Sequence, residues 1–211
     1  MKKYMWIVFI LIGIGLILYP KVKDEYYKRQ EEKVLKNWFK VSKNLEIVDS
    51  EIGTSIEENE IDNENSKKEY EINETMVGII NIEKIDLYEP VLKDASESNL
   101  NIGVAWVEGT SQVGSVGNHV IAGHRSRTYG RHFNRLDELE IGDSIEIITK
   151  DTNFIYTVYD KFIVKAEDVW VLKDDGVDKV KTLITCDYRM KPTGRLIIKG
   201  KLNNNLLNNE G

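Results

Sequence analysis

The chain has 211 residues, a formal net charge of -6, 3 prolines, 3 histidines and a single cysteine. The acidic balance leaves no basic footprint for nucleic acid, and one thiol excludes an internal disulfide framework, so any exported domain must be held by its own core. The length allows one ordinary domain together with accessory segments.

At the N-terminus, Lys2 and Lys3 precede an uncharged apolar stretch over residues 5–19. That is near the lower limit for a bilayer span, which takes about 20 apolar residues. No small-residue cleavage pattern follows, since the stretch ends Leu18-Tyr19-Pro20-Lys21. Residues 1–20 are therefore expected to be a cytoplasmic stub and an uncleaved transmembrane signal anchor, rather than a removed secretory signal. The lysine pair keeps the N-terminus in the cytoplasm; Lys21 and Lys23 count against that bias. The rest of the chain then works outside the cell. Residues 21–48 are charged and helical in pattern, with Tyr27, Val34, Trp38, Val41 and Leu45 recurring along one face. They form a stalk, or a helix lying on the membrane or on the following domain. Residues 49–75 are strongly acidic and poor in large apolar side chains, too few to offset the entropy of ordering. They read as a flexible linker.

From residue 76 to 202 the pattern becomes mainly β, over about 125 residues, enough for one core. Strands are predicted over 77–82, 87–92, 119–122, 144–149, 154–164, 180–185 and 196–201, from β-branched and aromatic runs separated by turns such as Gly142-Asp143. Short helices are predicted over 95–101 and 133–139. Many short strands of this kind make a barrel or a sandwich. The Asn-rich tail, 203–211, is expected to be disordered. The chain carries no internal repeat, Walker motif, Gly-x-Gly-x-x-Gly loop or Cys-x-x-Cys pair.

Three features of the domain carry chemistry. Cys186 closes the run Thr182-Leu183-Ile184-Thr185-Cys186; Arg195 opens Leu196-Ile197-Ile198; and His124 follows Val120-Ile121-Ala122-Gly123. A lone Cys is often just a small buried hydrophobe. With a histidine elsewhere in the chain it is also the minimum set for a thiol nucleophile. An arginine beyond it adds a permanent charge suited to a developing oxyanion. His119 lies five residues before His124, so on a straight strand the two face opposite ways, and it reads as a structural or rim histidine. His119, His124, His132 and Cys186 are zinc-type ligands, but none has a close partner spacing. Arg189 is a rival to Arg195, set in a loop rather than at a strand start. Thr185, beside the thiol, is expected to help shape the substrate pocket.

The segments Val120-Ile121-Ala122-Gly123-His124-Arg125 and Thr182-Leu183-Ile184-Thr185-Cys186, with Arg195, resemble those of the sortases, the Gram-positive cysteine transpeptidases that attach surface proteins to the cell wall. The stretch Arg125-Ser126-Arg127-Thr128-Tyr129-Gly130-Arg131, followed by Phe133-Asn134-Arg135-Leu136, looks most similar to class D, with class A the runner-up. The resemblance implies an eight-stranded β-barrel with short helices. It also implies that Cys186 attacks the Thr carbonyl of a Leu-Pro-x-Thr-Gly-like or Leu-Pro-x-Thr-Ala-like sorting signal, that His124 is the acid–base group, and that Arg195 binds the oxyanion. The partners implied are signal-bearing surface proteins, an amine of a peptidoglycan precursor, and membrane lipid around the anchor; no cofactor or metal is implied. Two other readings use the same features: a membrane-tethered cysteine peptidase that only hydrolyses, and a non-catalytic wall-binding module.

Overall fold

The alternating apolar segments beyond residue 76 become eight strands in the computed structural model, which describes residues 5–50, 76–174 and 176–203. The expected linker from residue 51 to 75 and the tail from 204 lie outside the described residues. The strands are β1 (Met76–Ile82), β2 (Leu87–Leu92), β3 (Val104–Trp106), β4 (Gly117–Ala122), β5 (Ser144–Ile148), β6 (Asn153–Val164), β7 (Lys179–Asp187) and β8 (Gly194–Leu202). They close in the order β1-β2-β3-β4-β7-β8-β6-β5, so no sheet edge is left open. The period-2 alternation puts Ile80, Ile82, Val91, Ile121, Ile145, Leu183, Leu196 and Ile198 into one buried cluster. Each such side chain contributes about 1.5–3 kcal/mol on burial.

Two pairings in the barrel are parallel. β2 lies parallel to β3 across the short helix α2 (Glu97–Ile102), whose N-cap is Ser96, and β4 lies parallel to β7. β3 has only three residues, too few to show a period, and sequence pattern does not reveal it. The stretch expected as a helix over 133–139 is a 3-10 helix, Phe133–Glu138, with Phe133 and Leu136 buried.

A single helix, α1, spans Met5–Ser50 and continues through Pro20. The junction expected between residues 20 and 21 is therefore not a break in the helix, although proline removes one backbone bond there. The apolar stretch expected as a membrane anchor, residues 5–19, forms the first part of α1, but among the described residues no helix is long and apolar enough to cross a membrane. The face of α1 read from the sequence packs on the barrel. Val34 and Trp38 are buried with Met76, Ile79, Leu92 and Ala105, and the Lys150 ammonium stands 5.1 Å over the Trp38 ring. The side chains of Val41 and Leu45 lie outside the described residues.

Inside the barrel the cross-strand partners His119 and Lys181 meet. Lys181 is fully buried, its Nζ against His119 Nδ1 and 4.9 Å from the centre of the Tyr156 ring. Burial holds the Lys181 amine well below its usual range; burial, and then the Lys181 charge, does the same to His119. For a base with a depressed folded-state pKa, the unfolded chain binds more protons, so stability rises with pH up to the unfolded value. Thermal melts of the full-length protein should therefore give a melting temperature that rises from pH 7 to pH 9.5. Lys181→Met should raise it at pH 7 and flatten that slope, because an amine buried without a carboxylate partner is replaced by an apolar chain of similar size. A Lys181→Met protein that melts lower, with the pH slope intact, would contradict this reading.

Candidate active site

The parallel pairing of β4 with β7 sets Ala122 opposite Ile184, and the Gly123 N–H donates to the Ile184 carbonyl at 3.0 Å. Two residues further along each chain stand His124 and Cys186. On its other side β7 pairs antiparallel with β8, and there Cys186 lies directly opposite Arg195. Neighbouring strands are about 4.8 Å apart. The three residues singled out in the sequence thus come from the ends of three adjacent strands, in one row at one mouth of the barrel. Cys186 and Arg195 are half-buried and His124 is exposed.

The row depends on close packing behind it. A Cβ on Gly123 would stand 2.7 Å from the Phe133 ring and 2.9 Å from Val104, so only glycine brings His124 this near the interior. Thr185 is not where its adjacency to Cys186 suggested. It is 2% exposed, on the opposite face of β7, and its hydroxyl donates to the Gly123 carbonyl at 2.8 Å. A contact with substrate is thereby replaced by a clamp between β7 and the end of β4. The other two histidines are engaged as well: His119 by Lys181, and His132 by Glu89, whose carboxylate stands 2.7 Å from His132 Nδ1. Among the described residues no group of three or more His, Cys, Asp and Glu is disposed to hold a metal ion.

Charge separates the two arginines. Asp187, fully buried next to Cys186, accepts from the Arg189 backbone N–H at 2.9 Å and from its Nε at 2.9 and 3.0 Å. Those bonds hold the Asp187 carboxyl below its usual range and raise Arg189 above its own. Arg125 lies 4.0 Å from the same carboxylate while pairing with Asp137 at 2.7 Å. The Arg195 guanidinium donates to the Gly194 carbonyl at 3.1 Å, and among the described residues it has no carboxylate within ion-pair reach. It is the arginine left available to a ligand. His124 is held below its ordinary pKa by partial burial, then by His132 and Lys23, with Glu97 opposing.

Two surfaces flank the row. On the His124 side, Lys23, Asp24 and Tyr27 of α1 join Arg125, Arg131, His132 and Tyr188 around a cavity of about 230 Å³. On the other side, Val164, Val171 and Ile197 are buried with Phe162, Leu172 and Ile184 against them, and Trp170 stacks on Phe162 with ring centres 5.7 Å apart. Sequence reasoning missed Asp187 and Glu89. The available signals were a carboxylate directly after the thiol and a single charge inside the apolar run 87–92.

A thiol, an imidazole and a guanidinium without a carboxylate partner among the described residues thus stand on one barrel rim. The sortase-domain family model matches residues 80–203, more than half of the chain, and the chain belongs to the sortase family, whose members are cysteine transpeptidases of the cell envelope. Sortase A of Bacillus anthracis is 33% identical over 127 residues, covering 60% of this chain and 60% of that protein. Sortase A of Listeria monocytogenes is 26% identical over 205 residues, covering 96% and 91%. The solved structure of the Clostridium perfringens Sortase D5 transpeptidase superposes with a TM-score of 0.56 and 29% identity, over 66% of this chain and 88% of that one.

The contrast between the arginines gives a test in peptide-cleavage kinetics. Arg195→Ala should lose about 10²-fold or more, the scale of one oxyanion donor. Arg195→Lys should recover little of it, because a point charge lacks the planar fork. Arg189→Ala should stay within a few-fold of wild type. If Arg189→Ala proves the more damaged enzyme, the two roles are exchanged.

Proposed function

We propose that this chain is a membrane-anchored sortase that cleaves a Leu-Pro-x-Thr-Gly-like or Leu-Pro-x-Thr-Ala-like sorting signal after its Thr and joins the new carboxyl end to an amine of a peptidoglycan precursor. The observation that carries the reading is the row His124, Cys186, Arg195 set by the β4–β7 and β7–β8 registers. The Cys186 thiolate attacks the Thr carbonyl. Arg195 receives the oxyanion, the geometry in which a fixed donor contributes most. His124 gives a proton to the leaving amine, and a thioester remains on Cys186. His124, now neutral, takes a proton from the incoming amine, which displaces the thiolate and completes the transfer. Partial burial lowers the His124 pKa, a direction that favours its role as proton acceptor in the second half-reaction. The apolar wall formed by Ile184, Ile197 and Val171 offers a seat for the Leu and Pro side chains.

Class D is favoured by the stretch 125–136 and by the likeness to the Clostridium perfringens enzyme; class A is the alternative. Cys186→Ala should abolish cleavage without loss of the fold. His124→Ala should lose about 10²–10⁴-fold, the usual contribution of a general acid–base group. Mass spectrometry of the products with and without an added amine separates transfer from plain hydrolysis. A Cys186→Ala protein that cleaves at near wild-type rate would remove the thiol from the mechanism, and products that never contain the amine would leave a hydrolase.

Anchoring through residues 5–19 is supported by the lysine flank and by the bare apolar side chains of α1. Phe9, Ile12, Leu16 and Ile17 are all 53 to 72% exposed, with no protein surface covering them. A helix end that is apolar all round belongs in a lipid core. Protease added to protoplasts should release a fragment containing the barrel. Full protection from protease, or a mature N-terminus just after Pro20, would refute this topology.

A further inference from the structure

The loop that carries His124 is closed by residues the reaction does not name. Arg125 and His132 form an isolated antiparallel bridge, and the Phe133 N–H donates to the His124 carbonyl at 3.0 Å. His132 sits at φ 51, a left-handed conformation that is strained for a non-glycine residue. What holds it there comes from β2. The Glu89 carboxylate accepts the His132 backbone N–H at 2.5 Å with one oxygen and meets His132 Nδ1 at 2.7 Å with the other. Both side chains are at most 5% exposed. A carboxylate is seldom buried to this degree unless its oxygens are engaged.

We propose that the buried Glu89–His132 pair is the positioning element for His124: it fixes the turn on which the imidazole rides and sets the charge beside it. The inference rests on the acid–base role proposed above for His124. Removing the pair releases the left-handed turn, and with it the bridge at Arg125 and the bond from Phe133 to His124. It also frees the His132 ring, which is one of the causes of the lowered His124 pKa, after partial burial. The other groups around His124 are Arg125 and Arg131 on the same loop, Lys23, Asp24 and Tyr27 on α1, Glu97 on α2, and Tyr188 just beyond β7, with Cys186 near the end of the neighbouring strand. On α1 Glu31 is coupled electrostatically to Glu89, and also to Arg131, Lys28 and Glu32. Glu31 is pushed up to about 8, first by burial and then by Glu89.

The test is a pH titration of the histidine ring signals by NMR in the full-length protein, beside the pH profile of peptide cleavage. His132→Gln removes the titratable ring. Glu89→Gln removes the carboxylate while its amide oxygen still accepts the His132 N–H, so it serves if the first variant folds poorly. In His132→Gln the His124 ring should titrate at higher pH than in wild type, in Glu89→Gln its titration should move away from the wild-type value, and in each the acid limb of kcat should move with it. Glu89→Ala should lower kcat by at least about tenfold with KM changed less, as expected when a catalytic group is misplaced while the groups that bind substrate stay in position. Folded variants whose His124 titration and pH profile overlay those of wild type would overturn the proposal. Full activity in His124→Ala would instead overturn the acid–base role, and the ring titrations of His132→Gln and Glu89→Gln would still report whether the pair controls His124.

Discussion

The parallel pairing of β4 with β7 is the constraint on which the rest of this molecule depends. Parallel neighbours cannot be joined by a hairpin, and here the intervening chain supplies β5 and β6 before returning. The return brings residues 62 apart in sequence into contact, as in the Thr185 to Gly123 hydrogen bond. Because side chains alternate with a period of exactly 2, a slip of one residue would turn Cys186 into the barrel and Asp187 out. The register is held from inside by Leu183 and Ile121, and at the rim by Thr185 on Gly123. Antiparallel β8 then needs only its own pairing to place Arg195 opposite the thiol.

Charge around the row is sorted by burial. Asp187 faces inward and gathers Arg189, with Arg125 near by, which keeps a carboxylate beside the thiol from engaging Arg195. Glu89 is likewise turned inward onto His132. The negative groups near the mouth are thus tied to structural partners, and the guanidinium facing the site keeps its donors for a ligand. An oxyanion site works through donors fixed before the reaction begins, because their reorganisation then adds nothing to the barrier.

Much of this was legible in the sequence, for identifiable reasons. The strands of the barrel carry β-branched alternation long enough to register, except β3, whose Val104–Trp106 is too brief to show a period. His124, Cys186 and Arg195 stood out because each is a chemically distinct residue at the end of an apolar run. Thr185 was misread because adjacency along a strand means opposite faces, and its neighbour's chemistry does not extend to it. The Glu89–His132 pair was hidden for a different reason. A buried charge within 87–92 is visible as an anomaly, but its partner lies 43 residues away and only the closed barrel brings the two together. The helix α1 showed its packing face through Val34 and Trp38, while its passage through Pro20 runs against the local propensity.

The most direct test of the three-strand row as an acyl-transfer centre is to catch the intermediate. Full-length protein would be mixed with a Leu-Pro-x-Thr-Gly peptide, quenched in acid during turnover, digested, and analysed by mass spectrometry. The account predicts a hydroxylamine-labile acyl adduct, ending at the Thr of the peptide, on the fragment containing Cys186, and a lower level of it when an acceptor amine is present. Turnover with no adduct on that fragment, or with a stable adduct at another residue, would contradict it.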